Sequence, residues 1–209
     1  MKWVIFWSSM ILVIGLALTI EQPLIQTYDV KILLFFEDIR TEFLNDLFFF
    51  FTDIGLIKFL LPLAVIVTAF LLIKKRYLES IFVMLAFWGV RGVNYMMKEF
   101  FERERPSFHS LIEVGDYSFP SGHAMNSIAF MGFLFYLFAH ILKVGIKHWL
   151  LWLSTTLIIV ILIAVSRVYL GVHYLTDVVA GACCGILYLF IVVYLYKFSS
   201  VLIQKIVLD

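Results

Sequence analysis

The chain has 209 residues, of which 63% are hydrophobic and only 15% are charged. A soluble globule of this length needs more polar surface, so the composition indicates a protein that resides in a membrane bilayer. The formal net charge of +1 excludes a strongly basic nucleic-acid-binding protein, and we expect no nucleic-acid partner.

Six apolar runs are long enough to cross a hydrocarbon layer about 30 Å thick, which takes about 20 helical residues. In chain order they are residues 3–20, 54–73, 78–97, 124–142, 149–166 and 178–196. None alternates as a membrane β-strand does, so the sequence predicts an all-α integral membrane protein, a bundle of six transmembrane helices. No repeat or linker interrupts the pattern, and we expect residues 1–209 to form a single domain. The first run could also be a cleaved secretory signal, but its basic region is one lysine, which favours a retained helix.

Residues 29–51, between the first two runs, have the pattern of an amphipathic helix. Apolar side chains recur there at spacings of three and four residues: Phe36, Ile39, Phe43, Leu47 and Phe50. The acidic residues of the segment fall elsewhere on the helical wheel. This pattern predicts a helix that lies in the membrane interface rather than crossing the bilayer.

Basic residues in the short loops predict the orientation of the chain. With six crossings, one face carries eight of them: Lys2, Lys74, Lys75, Arg76, Lys143, Lys147, Lys197 and Lys205. Short loops rich in lysine and arginine are retained in the cytoplasm. The opposite, extracytoplasmic face then carries segment 29–51, segment 98–123 and the turn 167–177.

Three stretches of polar residues fall on that extracytoplasmic face. The first has a lysine followed, after six residues, by Arg-Pro; the second is Pro-Ser-Gly-His; the third has Ser-Arg, a histidine and an aspartate. Their members are Lys98, Arg105 and Pro106, then residues 120–123, then Ser166, Arg167, His173 and Asp177. In order and spacing they resemble the three-part signature of the type 2 phosphatidic acid phosphatase (PAP2) superfamily, and the resemblance covers residues 54–196.

The resemblance implies a membrane enzyme of the cell membrane that hydrolyses a lipid phosphate or diphosphate. Phosphatidylglycerol phosphate, undecaprenyl diphosphate and phosphatidic acid are the candidate substrates it suggests. A transporter or channel with an interfacial charged cluster is the alternative, although no second polar layer continues through the later helices. The sequence does not indicate an oligomeric state.

The third stretch carries the expected nucleophile. His173 and Asp177 are four residues apart, so they share one face if the last helix begins near Gly171. Asp177 can then accept a hydrogen bond from one ring nitrogen and leave the other free to attack phosphorus, which gives a phosphohistidine. A histidine that merely caps a helix is the alternative.

The second stretch immediately precedes an apolar run and predicts a helix start. Ser121 is the expected N-cap, and free backbone N–H groups beside it can bind an anion. Gly122 allows the backbone to approach a phosphate closely. His123 can protonate the leaving lipid oxygen and later activate water. Read alone, this run is more typical of an ordinary helix start.

Lys98, Arg105 and Arg167 are the expected phosphate-binding cations. A single residue of this kind is often an interfacial anchor, but the occurrence of three of them together with two histidines favours a functional role. With this charge no metal or other cofactor is required. Arg91, Asn94 and Lys98 share one helical face, so Arg91 either extends the polar site inward or forms an internal ion pair.

Five loop residues could in principle bind a metal: Glu102, Glu104, His109, Glu113 and Asp116. Their spacing is not that of a compact ligand set. The sequence therefore favours a solvated acidic loop, with no metal ligands.

Overall fold

A computed structural model describes residues 2–107, 110–142 and 145–208, and these residues contain nine α-helices and no strand. In chain order the helices are α1 (Lys2–Thr19), α2 (Pro23–Asp38), α3 (Glu42–Gly55), α4 (Ile57–Ile73), α5 (Tyr77–Met84), α6 (Val90–Phe101), α7 (Gly122–Leu142), α8 (Ile146–Tyr169) and α9 (Leu175–Leu208). A π-helical turn, Leu85–Gly89, joins α5 to α6, so Tyr77–Phe101 is one continuous rod.

Five of these elements are long and apolar enough to cross a membrane: α1, the rod formed by α5 and α6, α7, α8 and α9. Helices α3 and α4 pass the same test only together, and they are bent by 44° at the break between them. The predicted all-helical membrane fold is therefore confirmed, with five spans, or six when the bent pair counts as one. The last helix continues to Leu208, well past its predicted end at residue 196.

The single helix predicted over residues 29–51 is wrong, because two helices occupy this region. Pro23 occupies the start of α2, where its missing N–H has no helical partner to lose. The hydroxyl of Thr41 accepts a hydrogen bond from the N–H of Leu44 at 3.2 Å and so caps a new helix, α3. Between the two helices, the guanidinium of Arg40 donates to the carbonyl of Tyr169 at 3.0 Å. Apolar spacing alone does not reveal such a break, because both helices present an apolar face.

Helices α7 and α9 form the tightest contact of the bundle. A Cβ on Gly181 would lie 2.5 Å from the carbonyl oxygen of Ser121, and one on Gly185 would lie 2.7 Å from that of Met125. Only glycine permits this approach of two helices, as small residues commonly do in membrane proteins. The contact brings the beginning of α7, with Ser121, Gly122 and His123, against the beginning of α9, with Asp177.

Away from that end, the interior is aromatic and aliphatic. Phe87, Phe130 and Phe133 are fully buried between the α5–α6 rod and α7, and Leu60 and Leu71 of α4 complete the cluster. This apolar packing fixes the helices whose opposite ends carry the polar residues.

Candidate active site

A cavity of about 270 Å³ lies among the ends of α6, α7 and α8, the turn before α9 and the bend between α3 and α4. Six of the eight predicted site residues line it: Lys98, Arg105, Gly122, His123, Arg167 and His173. The other two, Ser121 and Asp177, are buried behind its wall.

A tight turn between α8 and α9 carries His173 to the cavity. Gly171 has a φ of 75°, which glycine adopts without strain, and it terminates α8. The N–H groups of Val172 and His173 donate to the carbonyl of Arg167, each at 3.2 Å. Helix α9 begins only at Leu175, so the prediction that it begins near Gly171 is wrong and His173 belongs to the turn.

Asp177 still reaches His173, from the first turn of α9. Its Oδ2 lies 3.4 Å from Nδ1 of His173 and accepts hydrogen bonds from the hydroxyl of Ser118 and, at 2.9 Å, from the N–H of Tyr174. An acidic residue at the third helical position commonly bonds back to the N-cap in this way. The expected pair is therefore present, but the turn and the helix start create it rather than one helical face.

The neighbours of His173 define its tautomer. Nη1 of Arg105 lies 3.1 Å from Nε2 of His173, and because a guanidinium can only donate, Nε2 is the acceptor. The proton of the neutral ring is then on Nδ1, which faces Asp177 and the oxygen of Ser118, 3.3 Å away. Burial is the main cause that holds the pKa of His173 well below its ordinary value, and the charges of Arg105 and Arg167 act in the same direction. His173 is thus a neutral imidazole with its Nε2 lone pair toward the cavity.

Sequence reasoning missed the residues that hold Asp177 from behind. Arg103 is 5% exposed and bridges two buried carboxylates, with Nη1 2.5 Å from Asp177 Oδ1 and Nη2 2.9 Å from Asp29 Oδ2. Asp29, on α2, also accepts hydrogen bonds from the N–H and hydroxyl of Thr176 at 3.1 and 2.5 Å. Burial lowers the pKa of Arg103, but the two carboxylates outweigh burial and raise it, so the guanidinium is charged.

Lys98 and Arg105 meet at the carboxylate of Asp116, another residue the sequence did not assign to the site. Asp116 lies 2.7 Å from Nζ of Lys98 and 2.5 Å from Nη2 of Arg105. Burial raises the pKa of Asp116, but the hydrogen bond from Lys98 and the two positive charges lower it to about 2. This carboxylate is therefore ionised at neutral pH and stands at the mouth of the cavity, with 57% of its side chain exposed.

Gly122 and His123 line the cavity at the start of α7, where the first N–H groups of a helix have no intrahelical partner. A Cβ on Gly122 would lie 2.8 Å from Oδ1 of Asn94. A Cβ on Gly55, at the end of α3, would lie 2.7 Å from Cδ2 of His123. Gly55 was not predicted, and its missing side chain leaves the room that the imidazole of His123 occupies.

Ser121 directly precedes α7, at the predicted N-cap position, and its carbonyl accepts a hydrogen bond from the N–H of Met125 at 3.0 Å. Its N–H donates to the carbonyl of Asp177 at 3.0 Å and is therefore not free for an anion. Its hydroxyl is buried and has no hydrogen-bond partner among the described residues. Ser121 thus joins α7 to α9, and the N–H groups without an intrahelical partner belong to the residues that follow it.

Arg167 projects into the cavity from the last turn of α8. Its Nη1 donates to the hydroxyl of Thr52 on α3 at 2.6 Å, whereas its Nε has no hydrogen-bond partner in the described part of the chain. An arginine that is 2% exposed and paired with a neutral hydroxyl retains its full positive charge toward the cavity.

The acidic loop shows no metal-ligand cluster within the described ranges. Asp116 is paired with Lys98 and Arg105, while Glu102, Glu104 and Glu113 are distributed along the loop. His109, the fifth residue considered, lies outside the described residues.

Residues 75–200, which include all three polar stretches, match the PAP2 superfamily. The chain belongs to that superfamily. It is 36% identical to phosphatidylglycerophosphatase B of Bacillus subtilis over 154 residues, which are 74% of this chain and 76% of that protein. It is also 33% identical to lipid A 4'-phosphatase of Porphyromonas gingivalis over 100 residues, or 43% of this chain and 39% of that protein.

A solved structure supports the same family. The crystal structure of a transmembrane PAP2 type phosphatidylglycerolphosphate phosphatase from Bacillus subtilis superposes with a TM-score of 0.87 at 33% sequence identity. The match covers 92% of this chain and 96% of that one. The predicted family and the predicted class of activity, a membrane lipid phosphatase, are confirmed.

Proposed function

We propose that the chain hydrolyses the phosphate or diphosphate headgroup of a membrane lipid at the extracytoplasmic surface, through a phosphohistidine on His173 and without a metal or other cofactor. The observation that carries this proposal is the environment of His173. Its Nε2 accepts a hydrogen bond from Arg105 inside a cavity lined by Lys98 and Arg167, while its Nδ1 faces Asp177. A neutral imidazole so held can give its lone pair to phosphorus.

The bound phosphate would replace Asp116 as the partner of the cations. Lys98, Arg105 and Arg167 surround the space in front of Nε2, and the N–H groups at the start of α7 point toward an anion there. As the transition state spreads negative charge over the phosphoryl oxygens, these fixed donors stabilise it without rearranging.

In the first step, Arg105 transfers its hydrogen bond from Nε2 of His173 to the phosphate, Nε2 forms a bond to phosphorus, and the bond from phosphorus to the lipid oxygen breaks. His123, protonated, gives its proton to that leaving oxygen, and Asp177 balances the positive charge that develops on His173. In the second step, water gives a proton to His123 and attacks phosphorus. The phosphorus–nitrogen bond breaks, phosphate leaves, and both histidines return to their starting state.

The lipid would reach this site from the side of the bundle. Leu56, in the bend between α3 and α4, borders both the site and a surface cavity of about 490 Å³ lined by Phe50 and Lys58.

Counting α3 and α4 as one bent span gives six crossings, with α2 lying at the interface. The cytoplasmic face is then the one with the basic loops, as the positive-inside rule requires. Lys143, one residue of that basic set, lies outside the described residues.

Phosphatidylglycerol phosphate is the first substrate to test, because the phosphatidylglycerophosphatase of Bacillus subtilis matches most of the chain. Undecaprenyl diphosphate and phosphatidic acid complete the panel. Purified enzyme should release phosphate from at least one of these lipids in the presence of EDTA, and vanadate should inhibit it.

The nucleophile is tested by His173→Ala. The variant should lose turnover and any trapped ³²P-labelled phosphoenzyme, because it lacks the proposed nucleophile. His123→Ala should slow the hydrolysis of lipids strongly and the hydrolysis of p-nitrophenyl phosphate least, since nitrophenolate leaves without a proton. Near-normal hydrolysis by the His173 variant would refute the assignment. Ion flux through proteoliposomes of a protein without phosphatase activity would favour the transporter alternative instead.

A further inference from the structure

Arg91 is a cation of the site cavity that the phosphohistidine mechanism does not use. It lines the cavity, and its guanidinium lies 4.3 Å from the centre of the Phe87 ring. Its Nε is buried without a hydrogen-bond partner, and no carboxylate of the described residues pairs with it. A charged side chain in a membrane-spanning helix ordinarily has such a partner. The ion pair considered for Arg91 is therefore absent from the described residues, and the side chain of Arg91 lines the cavity.

The position of Arg91 along α6 sets it apart from the other cations. It precedes Lys98 by seven residues, two helical turns, which is about 10 Å nearer the middle of the bilayer. Like His123, the expected donor to the leaving oxygen, Arg91 lines the cavity, whereas Lys98 and Arg105 lie at its outer end beside the exposed carboxylate of Asp116. Arg91 thus lies on the leaving-group side of the reaction, deeper than the scissile phosphate.

Helix α7 contributes a second polar group to the same cavity. Asn126, one turn after Gly122, also lines the cavity, and its Oδ1 is buried without a partner among the described residues. Asn94, by contrast, is engaged, because its amide donates to the carbonyl of Pro120 at 3.1 Å. The inner end of the cavity therefore presents one unpaired cation and one unpaired amide.

We propose that Arg91 binds a second phosphate of the substrate, the one that stays on the lipid after hydrolysis, so that the enzyme prefers lipids with two phosphates over lipids with one. The inference rests on the proposed function, because it needs the scissile phosphate at His173. In a lipid headgroup with two phosphates, the one nearer the acyl or isoprenyl chain lies deeper in the bilayer, and Arg91 is deeper than Lys98 in the same sense. Asn126 can donate a hydrogen bond to that phosphate from its amide Nδ2.

The second phosphate can be joined to the first directly, as in an isoprenyl diphosphate, or through a glycerol, as in phosphatidylglycerol phosphate. Both leave an anionic product that retains the inner phosphate. Phosphatidic acid has only the scissile phosphate, and its leaving group is neutral diacylglycerol. Two of the three lipids therefore carry an inner phosphate, each through a different linkage, and phosphatidic acid carries none.

The test is Arg91→Met, which keeps the apolar stem and removes the charge, assayed in detergent on all three lipids. Losing a charge-assisted contact should lower kcat/KM about tenfold or more for each lipid with two phosphates. Hydrolysis of phosphatidic acid should change by less than about twofold, because it makes no such contact. Arg91→Lys should retain part of the preference. Lys31→Met, which removes an exposed charge from α2, is the matched control and should not change the ratio of kcat/KM between any two of the lipids.

Product inhibition provides an independent readout that needs only a soluble ester. In the wild-type enzyme, phosphatidylglycerol and isoprenyl monophosphate should inhibit p-nitrophenyl phosphate hydrolysis more strongly than diacylglycerol, and Arg91→Met should remove that difference. An equal loss on all three lipids, or no loss on any, overturns the second phosphate site and leaves the phosphatase intact. If wild-type enzyme hydrolyses none of the lipids, the proposed function itself fails. If Arg91→Met does not fold, the proposal is tested by the lipid preference of Arg91→Lys and by the product inhibition of the wild-type enzyme.

Discussion

The two sides of His173 are built in opposite ways. Behind it, Asp177, Asp29 and Arg103 form a buried network in which two carboxylates share one guanidinium. In front of it, the cavity has an excess of positive charge, with Asp116 as the one carboxylate among its lining residues. The rear network is complete without a ligand and can fix the imidazole, whereas the front lacks the negative charge that a phosphate brings.

The largest expected effect comes from breaking the rear network with Arg103→Met. The change leaves Asp29 and Asp177, which are 1% and 0% exposed, without their shared cation. Removing one partner of a buried ion pair costs about 3–5 kcal/mol, so the variant should unfold at lower temperature in detergent and lose at least about a hundredfold in turnover.

The double variant Asp29→Asn with Arg103→Met is the matched control. It removes one of the two uncompensated carboxylates and should recover a clear part of the lost thermal stability. If the single variant melts like the wild type, Arg103 is not a structural partner of the two carboxylates and the contrast between the two sides is wrong.

A milder change, Asp29→Asn, separates orientation from folding. Asp29 offsets the charge of Arg103, so without it the surroundings of His173 become more positive and its pKa, already low, falls further. Because the free imidazole is lost as pH falls through that pKa, the acid limb of kcat/KM should move to lower pH, by about half a unit, together with a modest fall in kcat.

The comparison must use one substrate for both proteins, so that its own ionisation cancels between the two pH profiles. Lys31→Met, also on α2 but exposed, should leave the acid limb where it is in the wild type. A shift of the Asp29→Asn limb to higher pH would mean that Arg103 does not act on the imidazole through Asp177.

The front of the site was predictable from the sequence, and the rear was not. The front residues stand in three short stretches, at the spacings of the family signature that they resemble. Arg103 lies in the first stretch, but between Glu102 and Glu104 it has the pattern of a solvated charged run. Asp29 is 74 residues away from it, on a helix outside the stretches, and no local spacing connects the two.

Helix boundaries were the other weak point, for a related reason. The cap at Thr41 and the left-handed Gly171 are single residues that decide where α3 begins and α8 ends. Apolar periodicity continues across both places, so it predicts that helices exist but not where they break. The all-helical membrane fold depends on long apolar runs, which the sequence shows directly, and it was therefore predicted correctly.

The smallest expected effect concerns Asp116, the carboxylate that holds Lys98 and Arg105 while no phosphate is bound. Asp116→Asn keeps the shape of the side chain and removes the competing charge, so vanadate should bind about two- to fivefold more tightly. The gain is small because more than half of this side chain is exposed, and exposed ion pairs contribute little. Vanadate inhibition of p-nitrophenyl phosphate hydrolysis measures it.

The pKa of about 2 adds a second expectation. A carboxyl group with a lowered pKa loses its ion pairs only as pH falls through that value, so Asp116 is ionised throughout the range in which the enzyme can be assayed. Asp116→Asn removes a negative charge that raises the pKa of His173, so the acid limb of kcat/KM should move slightly to lower pH. Glu113→Gln removes an exposed charge from the same loop and should affect neither vanadate binding nor the profile. Weaker vanadate binding in Asp116→Asn would show instead that the carboxylate positions the two cations for the phosphate, and the front of the site would then resemble the rear.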